Sequence, residues 1–206
     1  MPIRGADISS YQGQVDFAAV KASGQIDFIF AKATEGISEV DPQFARNKVV
    51  CAERGIPFGA YHFFHPSEDP KAQALHFLRS LQSRVAGVQP PELRPMVDVE
   101  IDEGCSAAQI VSALKAFLAT LGALGRSVLI YTDYGFWNDN VGGSSAFPDH
   151  LLWLAEYNND AEPTLPGGWT DWVLWQHTAS GHVDGISGDV DLDLLNPRVA
   201  FKALQV

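Results

Sequence analysis

Cysteine, positive charge and long apolar runs are all scarce in this chain. Only Cys51 and Cys105 occur among 206 residues. Two cysteines are too few for a disulfide framework and lack metal-motif spacing, so two free thiols and a single bridge both stay open. Lysine and arginine number 14 against 25 aspartates and glutamates, a net charge of −11. That balance offers no basic stripe to a phosphate backbone and opposes docking on anionic lipid. Neither nucleic acid nor a membrane is an expected partner. No apolar stretch approaches the ~18 residues that span a bilayer, and residues 1–7 lack the apolar core of a secretory leader. Walker A, G-x-G-x-x-G, G-x-S-x-G and H-E-x-x-H motifs are all missing, as is any N-x-[ST] sequon. What is present suits a folded enzyme-sized unit: 46% hydrophobic residues with 19% charged exclude disorder. No linker breaks the chain. Residues 85–94, with Gly87, Pro90 and Pro91, come nearest to a boundary and are too short to separate domains. One domain over 1–206 is expected.

Strand-like and helix-like segments alternate. Strands are expected at 3–9, 25–33, 56–64, 95–101, 127–132, 151–157, 172–176 and 188–193. Asp16, Asp41 followed by Pro42, and Asp69 followed by Pro70 open helices between the first four strands. Ser106 and Gln109 form a capping box for a helix with Ile110, Leu114, Phe117, Leu118 and Leu121 on one face, and Gly125 stops it. Beyond residue 132 the connections read as loops, with a short last helix at 197–204. Eight strands alternating with helices predict an α/β fold, a parallel sheet closed as a single TIM-like (β/α) barrel. At 206 residues the chain is short for ~250. Helices reduced or missing in the second half account for the saving.

Active sites of such barrels lie at the C-terminal strand ends. Those ends carry Asp7, Lys32, Tyr61, His62, Asp98, Glu100, Tyr131, Glu156, Tyr157, Gln176, Asp189, Asp191 and Asp193. Within 95–101 (PMVDVEI), alternation sends Val97, Val99 and Ile101 toward the helices and Met96, Asp98 and Glu100 toward the barrel mouth. Carboxylates roughly 6.6 Å apart along a strand raise each other's pKa. One can then donate a proton near neutrality, as general-acid cleavage of a glycosidic bond requires. Asp7 and Asp191, on the first and last strands, become neighbours once the barrel closes. Residues 189–193 (DVDLD) fail as an EF-hand, because Leu194 and Ala200 stand where Gly and Glu are needed. A hard-cation site from Asp98, Glu100 and Asp191 is the competing reading. His62, His65 and His177 are read as hydrogen-bonding wall residues.

Trp153, Trp169, Trp172 and Trp175 cluster in the last third, with Tyr61, Phe63, Phe64, Tyr131 and Tyr157 at strand ends. Such rings suit the C–H faces of sugars. Trp169 and Trp172 read as core. Trp153 and Tyr157 share a strand face with Ala155 between them, and read as a groove wall.

Together these residues resemble glycoside hydrolase family 25, the Chalaropsis-type lysozymes. The matching segments are 5–13 (GADISSYQG), 30–36 (FAKATEG), 59–63 (GAYHF), 97–100 (VDVE), 130–132 (IYT), 153–157 (WLAEY), 175–176 (WQ) and 190–193 (VDLD). Eight segments in family order run nearly end to end. The resemblance implies a flattened barrel that hydrolyses the β-1,4 bond between N-acetylmuramic acid and N-acetylglucosamine in peptidoglycan. It implies Glu100 as general acid and Asp98 as the partner that holds the substrate N-acetyl group for neighbouring-group attack. Asp7 and Asp191 match the other two family carboxylates. Lys32, Glu35, Tyr61, Phe63, Tyr131, Trp153, Tyr157 and Gln176 lie in the matching segments and are the expected substrate contacts. No metal and no other cofactor is expected, and the partner is the glycan strand, met by a monomer. Two departures stand out: Asp193 where the family often has Asn, and Leu195 where an aromatic is usual. They leave the roles of Asp189 and Asp193 open. No wall-binding module follows the barrel, and the start without a leader favours an endolysin over a secreted hydrolase or a delivered toxin. A chitinase-like N-acetylhexosaminidase, a non-catalytic glycan-binding barrel and a metal-dependent phosphodiesterase are the alternatives. The retaining or inverting course stays open, since Cα spacing fits both carboxylate separations.

Overall fold

Three of the four capped helices begin where their capping residues stand. The structure, a computed structural model, describes residues 2–82, 92–158 and 160–206. Strand β1 (Arg4–Ile8) leads through a 3₁₀ turn to α1 (Phe17–Ser23), whose first amides donate to the Asp16 carboxylate. Strand β2 (Phe28–Glu35) is followed by the two-residue β3 (Glu39–Val40) and by α2 (Phe44–Arg54). The helix starts later than Asp41 suggests. Asp41 is used elsewhere: Oδ2 accepts the Ser10 amide at 2.8 Å and Oδ1 the Gln43 amide at 2.8 Å. Then come β4 (Phe58–Phe63), α3 (Pro70–Gln82), β5 (Met96–Asp98), α4 (Ala107–Ala123) and β6 (Leu129–Asp133). The Asp69 carboxylate caps α3 through the Lys71 and Ala72 amides, and the Gln109 side chain accepts from the Ser106 amide at 2.9 Å. The end expected for α3 near residue 84, and most of the segment 85–94, fall outside the described residues.

The second half is barer, as the sequence suggests, with one correction. A seven-residue helix, α5 (Tyr134–Asn140), follows β6, capped by Asp133 Oδ1 on the Phe136 amide at 2.8 Å. After it come β7 (Leu152–Ala155), β8 (Leu174–Gly181) and β9 (Val190–Leu195), with no helix between them among the described residues, then a 3₁₀ turn (Phe201–Leu204).

Eight strands close a barrel in the order β1, β2, β4, β5, β6, β7, β8, β9 and back to β1, while β3 hairpins onto β2. All pairs from β1 to β8 round the barrel are parallel, but β9 is antiparallel to both β8 and β1. This corrects the all-parallel expectation. Only residues 182–189 link β8 to β9, and a parallel return needs a crossover of about a dozen residues or more. The reversal brings the start of β9, not its end, to the functional mouth.

The barrel interior is filled by Phe28, Phe30, Met96, Leu129, Trp153 and Leu174. Room for the first two rings comes from Gly5 and Gly59. A Cβ there would stand 2.1 Å from the Phe28 ring and 2.2 Å from the Phe30 ring, far inside contact distance. Outside the barrel Val97, Val99 and Ile130 pack with Ile110, Leu114 and Phe117 of α4. Val97 and Met96 therefore lie on opposite faces of β5, as alternation requires. Burying side chains of this size contributes roughly 1.5–3 kcal/mol each. Cys51 and Cys105 are both free thiols, and burial pushes the Cys51 thiol up to about 12.

Candidate active site

One mouth of the barrel collects polar side chains from nearly every strand. Asp7 comes from β1, Lys32 from β2, Tyr61 and Phe63 from β4, Asp98 from β5, Tyr131 from β6, Gln176 from β8 and Asp191 from β9. Glu100 lies two residues past Asp98, and Tyr157 two past the end of β7. Together they line a cleft of about 240 Å³. Asp7 and Asp191 face each other in the antiparallel β1–β9 register, side by side as closure of the barrel demands. Ser9, Tyr11 and Gln12 also line the cleft and were not singled out from the sequence. A visible signal did exist: Ser9 and Gln12 form a reciprocal capping box on the 3₁₀ turn after β1.

The cleft floor is electrostatically costly. Asp7 and Asp98 are buried, and both carboxyls are pushed well above the usual carboxylate range. For Asp7 the causes are burial and then the Asp191 charge, opposed by the Gln176 hydrogen bond. For Asp98 they are burial, then Glu100, then Asp7. Asp98 Oδ1 is buried with no hydrogen-bond partner among the described residues. Glu100 opens to solvent at the mouth, yet desolvation, Asp191 and Asp133 raise it too, against a lowering pull from Lys32. A carboxyl in such company holds its proton longer than one in water. Asp133 was also missed from the sequence, standing just past the strand expected at 127–132.

The loop carrying Glu100 is tied at both sides. Asp102 Oδ2 accepts from Asn140 Nδ2 at 2.6 Å. Glu103, at φ +49°, accepts from His65 Nδ1 at 2.8 Å and from Ser67 Oγ at 2.6 Å. His65 Nε2 reaches Glu35 Oε1 at 3.0 Å, and the other Glu35 oxygen pairs with Lys32. The Lys32 ammonium also lies 4.7 Å over the Phe63 ring, within cation–π range. Glu35 thus stands on the rim beside the cleft rather than in its lining.

Other expectations are relocated. Trp153 is fully buried and donates through Nε1 to Asp193 Oδ1 at 3.0 Å. It lies beneath the cleft, not in its wall, and cannot contact substrate there. Tyr157 does line the wall, with 56% of its surface exposed. Asp193 is buried below Asp7, while Asp189 is exposed and its carbonyl accepts from Gln12. Glu156 turns away to cap the Thr164 and Asn158 groups. His62 is buried, stacked 5.2 Å from Phe117 and held between Thr34 and Gln73. Burial drops its pKa to about 3, so it remains neutral. Among the described residues no group of three or more His, Cys, Asp or Glu is arranged to hold a metal ion, and no helix is long and apolar enough to cross a membrane.

A barrel whose mouth pairs proton-holding carboxyls with aromatic walls is the architecture of a glycosidase. Comparison with known proteins agrees. The model of glycosyl hydrolases family 25 matches residues 6–186. The N,O-diacetylmuramidase of Chalaropsis sp is 33% identical over 204 residues, covering 92% of this chain and 96% of that enzyme. The autolytic lysozyme of Clostridium acetobutylicum is 35% identical over 191 residues, 93% of this chain, which spans just 55% of that enzyme's length. The crystal structure of a bacterial lysozyme from Streptomyces coelicolor superposes with a TM-score of 0.85 at 32% identity, covering 99% of this chain and 95% of the other. The chain belongs to glycosyl hydrolases family 25 and is a glycoside hydrolase.

Proposed function

We propose that the chain is a muramidase that hydrolyses the β-1,4 bond between N-acetylmuramic acid and N-acetylglucosamine in peptidoglycan, with Glu100 as the general acid. The observation that carries this is the Asp98–Glu100 pair at the mouth of a family 25 barrel, both carboxyls raised by burial and by neighbouring acids. Glu100, open at the mouth, gives its proton to the glycosidic oxygen. The substrate's own N-acetyl oxygen then attacks the anomeric carbon, and Asp98 holds the N-acetyl N–H in line. Water opens the resulting ring, returning a proton to Glu100. Asp7 and Asp191 complete the floor, and Tyr61, Tyr131, Tyr157 and Phe63 bound the sugar-binding space. The enzyme works as a monomer without cofactor, nucleic acid or membrane, at the bacterial cell wall, reached as an endolysin or by secretion.

Glu100→Gln is the test. Release of reducing ends from purified sacculi should fall by roughly 10²–10⁴, the usual worth of a positioned acid, with the melting temperature retained. Undiminished release would remove Glu100 from this role. Mass spectrometry of the muropeptides identifies the bond, since a muramidase leaves muramic acid at every new reducing end. Glucosamine there would show another N-acetylhexosaminidase.

A further inference from the structure

Gln176 reads from the sequence as a substrate contact, but its polar atoms are already committed. It is buried on β8, 2% exposed. Oε1 accepts two phenolic hydroxyls, Tyr131 at 2.9 Å and Tyr157 at 2.6 Å. Nε2 donates to Asp7 Oδ2 at 2.7 Å. A carbonyl oxygen has two lone pairs, so the phenols fill it. Both phenols stay protonated, because burial and the floor carboxylates push them upward. Each gives its O–H to Gln176 Oε1, with the amide nitrogen turned toward Asp7.

The three arms differ in freedom. Asp7 and Tyr131 are buried, while Tyr157 is exposed along most of its ring and anchored at its hydroxyl. We infer that Gln176 is a positioning residue, a buried strut that orients the Asp7 carboxylate and holds the Tyr157 wall in register with it. The inference rests on the placing of Asp7 in the catalytic group. Its consequence is electrostatic as well as geometric. Asp7 is faced by Asp191 and Asp193 from β9, by Asp98 and Glu100 from the β5 end, and by the Tyr61 phenol from β4. None of these donates a positive charge. Gln176 supplies the N–H that favours the ionised carboxylate among them.

Gln176→Leu keeps the volume and removes all three bonds. On solubilised peptidoglycan it should lower kcat roughly tenfold to a hundredfold, as small misplacements do. KM should move less than about threefold, because the substrate does not touch the amide. The acid limb of the kcat profile should shift to higher pH, because Asp7 without its donor keeps its proton further into the neutral range. Tyr157→Phe, which leaves the buried amide in place, should show the same shift in smaller measure and serves if the leucine variant fails to fold. A large rise in KM with kcat and acid limb unchanged would overturn the proposal, making Gln176 a direct ligand. Wild-type kinetics in both variants would overturn it too. Glu100→Gln, run alongside, separates the two readings. If that variant is inactive while the Gln176 and Tyr157 variants behave as wild type, the strut fails and the muramidase assignment stands.

Discussion

On the rim of the mouth, Glu35 and Glu103 flank His65 at 3.0 and 2.8 Å, Lys32 takes the second oxygen of Glu35, and Ser67 the second oxygen of Glu103. On the floor a few residues away, Asp7, Asp98, Asp191 and Asp193 crowd together, and of the four only Asp98 feels the lowering pull of Lys32. On the rim Glu35 and Glu103 are held below their usual pKa. For Glu35 burial opposes this, and the Lys32 and His65 hydrogen bonds outweigh it. For Glu103 the Ser67 hydrogen bond leads. On the floor every one of the four is raised, burial being the first cause in each. Two oxygens there, Asp98 Oδ1 and Asp193 Oδ2, have no hydrogen-bond partner among the described residues. The rim arrangement favours folding. The floor arrangement opposes it and persists because the rest of the barrel over-determines it, which is what a catalytic centre looks like in energetic terms.

Breaking the floor should therefore cost activity while it helps the fold. Asp98→Asn replaces a buried carboxyl whose Oδ1 finds no partner among the described residues. Activity on sacculi should fall by roughly 10²–10⁴, since paired catalytic groups act as a unit, while the melting temperature at pH 7 holds or rises. Loss of activity together with loss of fold would place Asp98 with the structural carboxylates. Asp193→Asn sharpens the contrast at a smaller scale. Asp193 binds its proton more tightly folded than unfolded. The folded state therefore carries the extra proton between about pH 3.9 and its raised value, and stability falls as pH climbs through that window. Replacing it should raise the melting temperature at pH 7 by about 2–4 °C, the equivalent of about 1 kcal/mol in a chain this size. The gain should vanish near pH 4. An unchanged or lower melting temperature at pH 7 would mean that Asp193 is stabilising as it stands.

The floor was more legible in the sequence than the rim, and the reason is periodicity. Alternation along 95–101 put Asp98 and Glu100 on one face and Val97 and Val99 on the other, and side chains two apart on a strand have no other choice. Capping chemistry is equally local, so Asp16, Asp69 and Ser106 marked their helices. Depth along the barrel axis is not local. Trp153 and Tyr157 share a face, but four residues of strand separate them by roughly 13 Å, enough to put one ring beneath the cleft and the other at its edge. The direction of β9 depends on how long the preceding connection is, and α5 on one cap residue that also ends a strand. The partners of Gln176 lie 45, 19 and 169 residues away, and those of His65 lie 38 and 30 away. No window of sequence contains them. The motifs show which polar residues reach the mouth; only the closed barrel shows which of them spend their hydrogen bonds on each other.

The rim yields the smallest effect, and its carboxylates, unlike His65, slope the opposite way from the floor's. Burial lowers the pKa of His65, but the Glu103 and Glu35 hydrogen bonds outweigh it and leave the imidazole raised. A raised base stabilises the fold fully below its unfolded value, about 6.5, and loses that contribution as pH rises through the folded one. Glu35 and Glu103, being lowered, contribute above about 4.3 and lose it as pH falls. The rim is thus strongest between those limits, where the floor is progressively weakening. His65→Gln keeps one hydrogen bond and discards the charge. It should destabilise by roughly 0.5 kcal/mol at pH 5.5, in keeping with partly exposed pairs, and the difference from wild type should shrink to nothing by about pH 8–9 as the imidazole becomes neutral too. Thermal melts of both proteins across that range measure it directly. A difference that stays constant, or grows, with rising pH would mean that His65 holds the rim by packing and shape alone, and that the charge contrast between rim and floor does not extend to this residue.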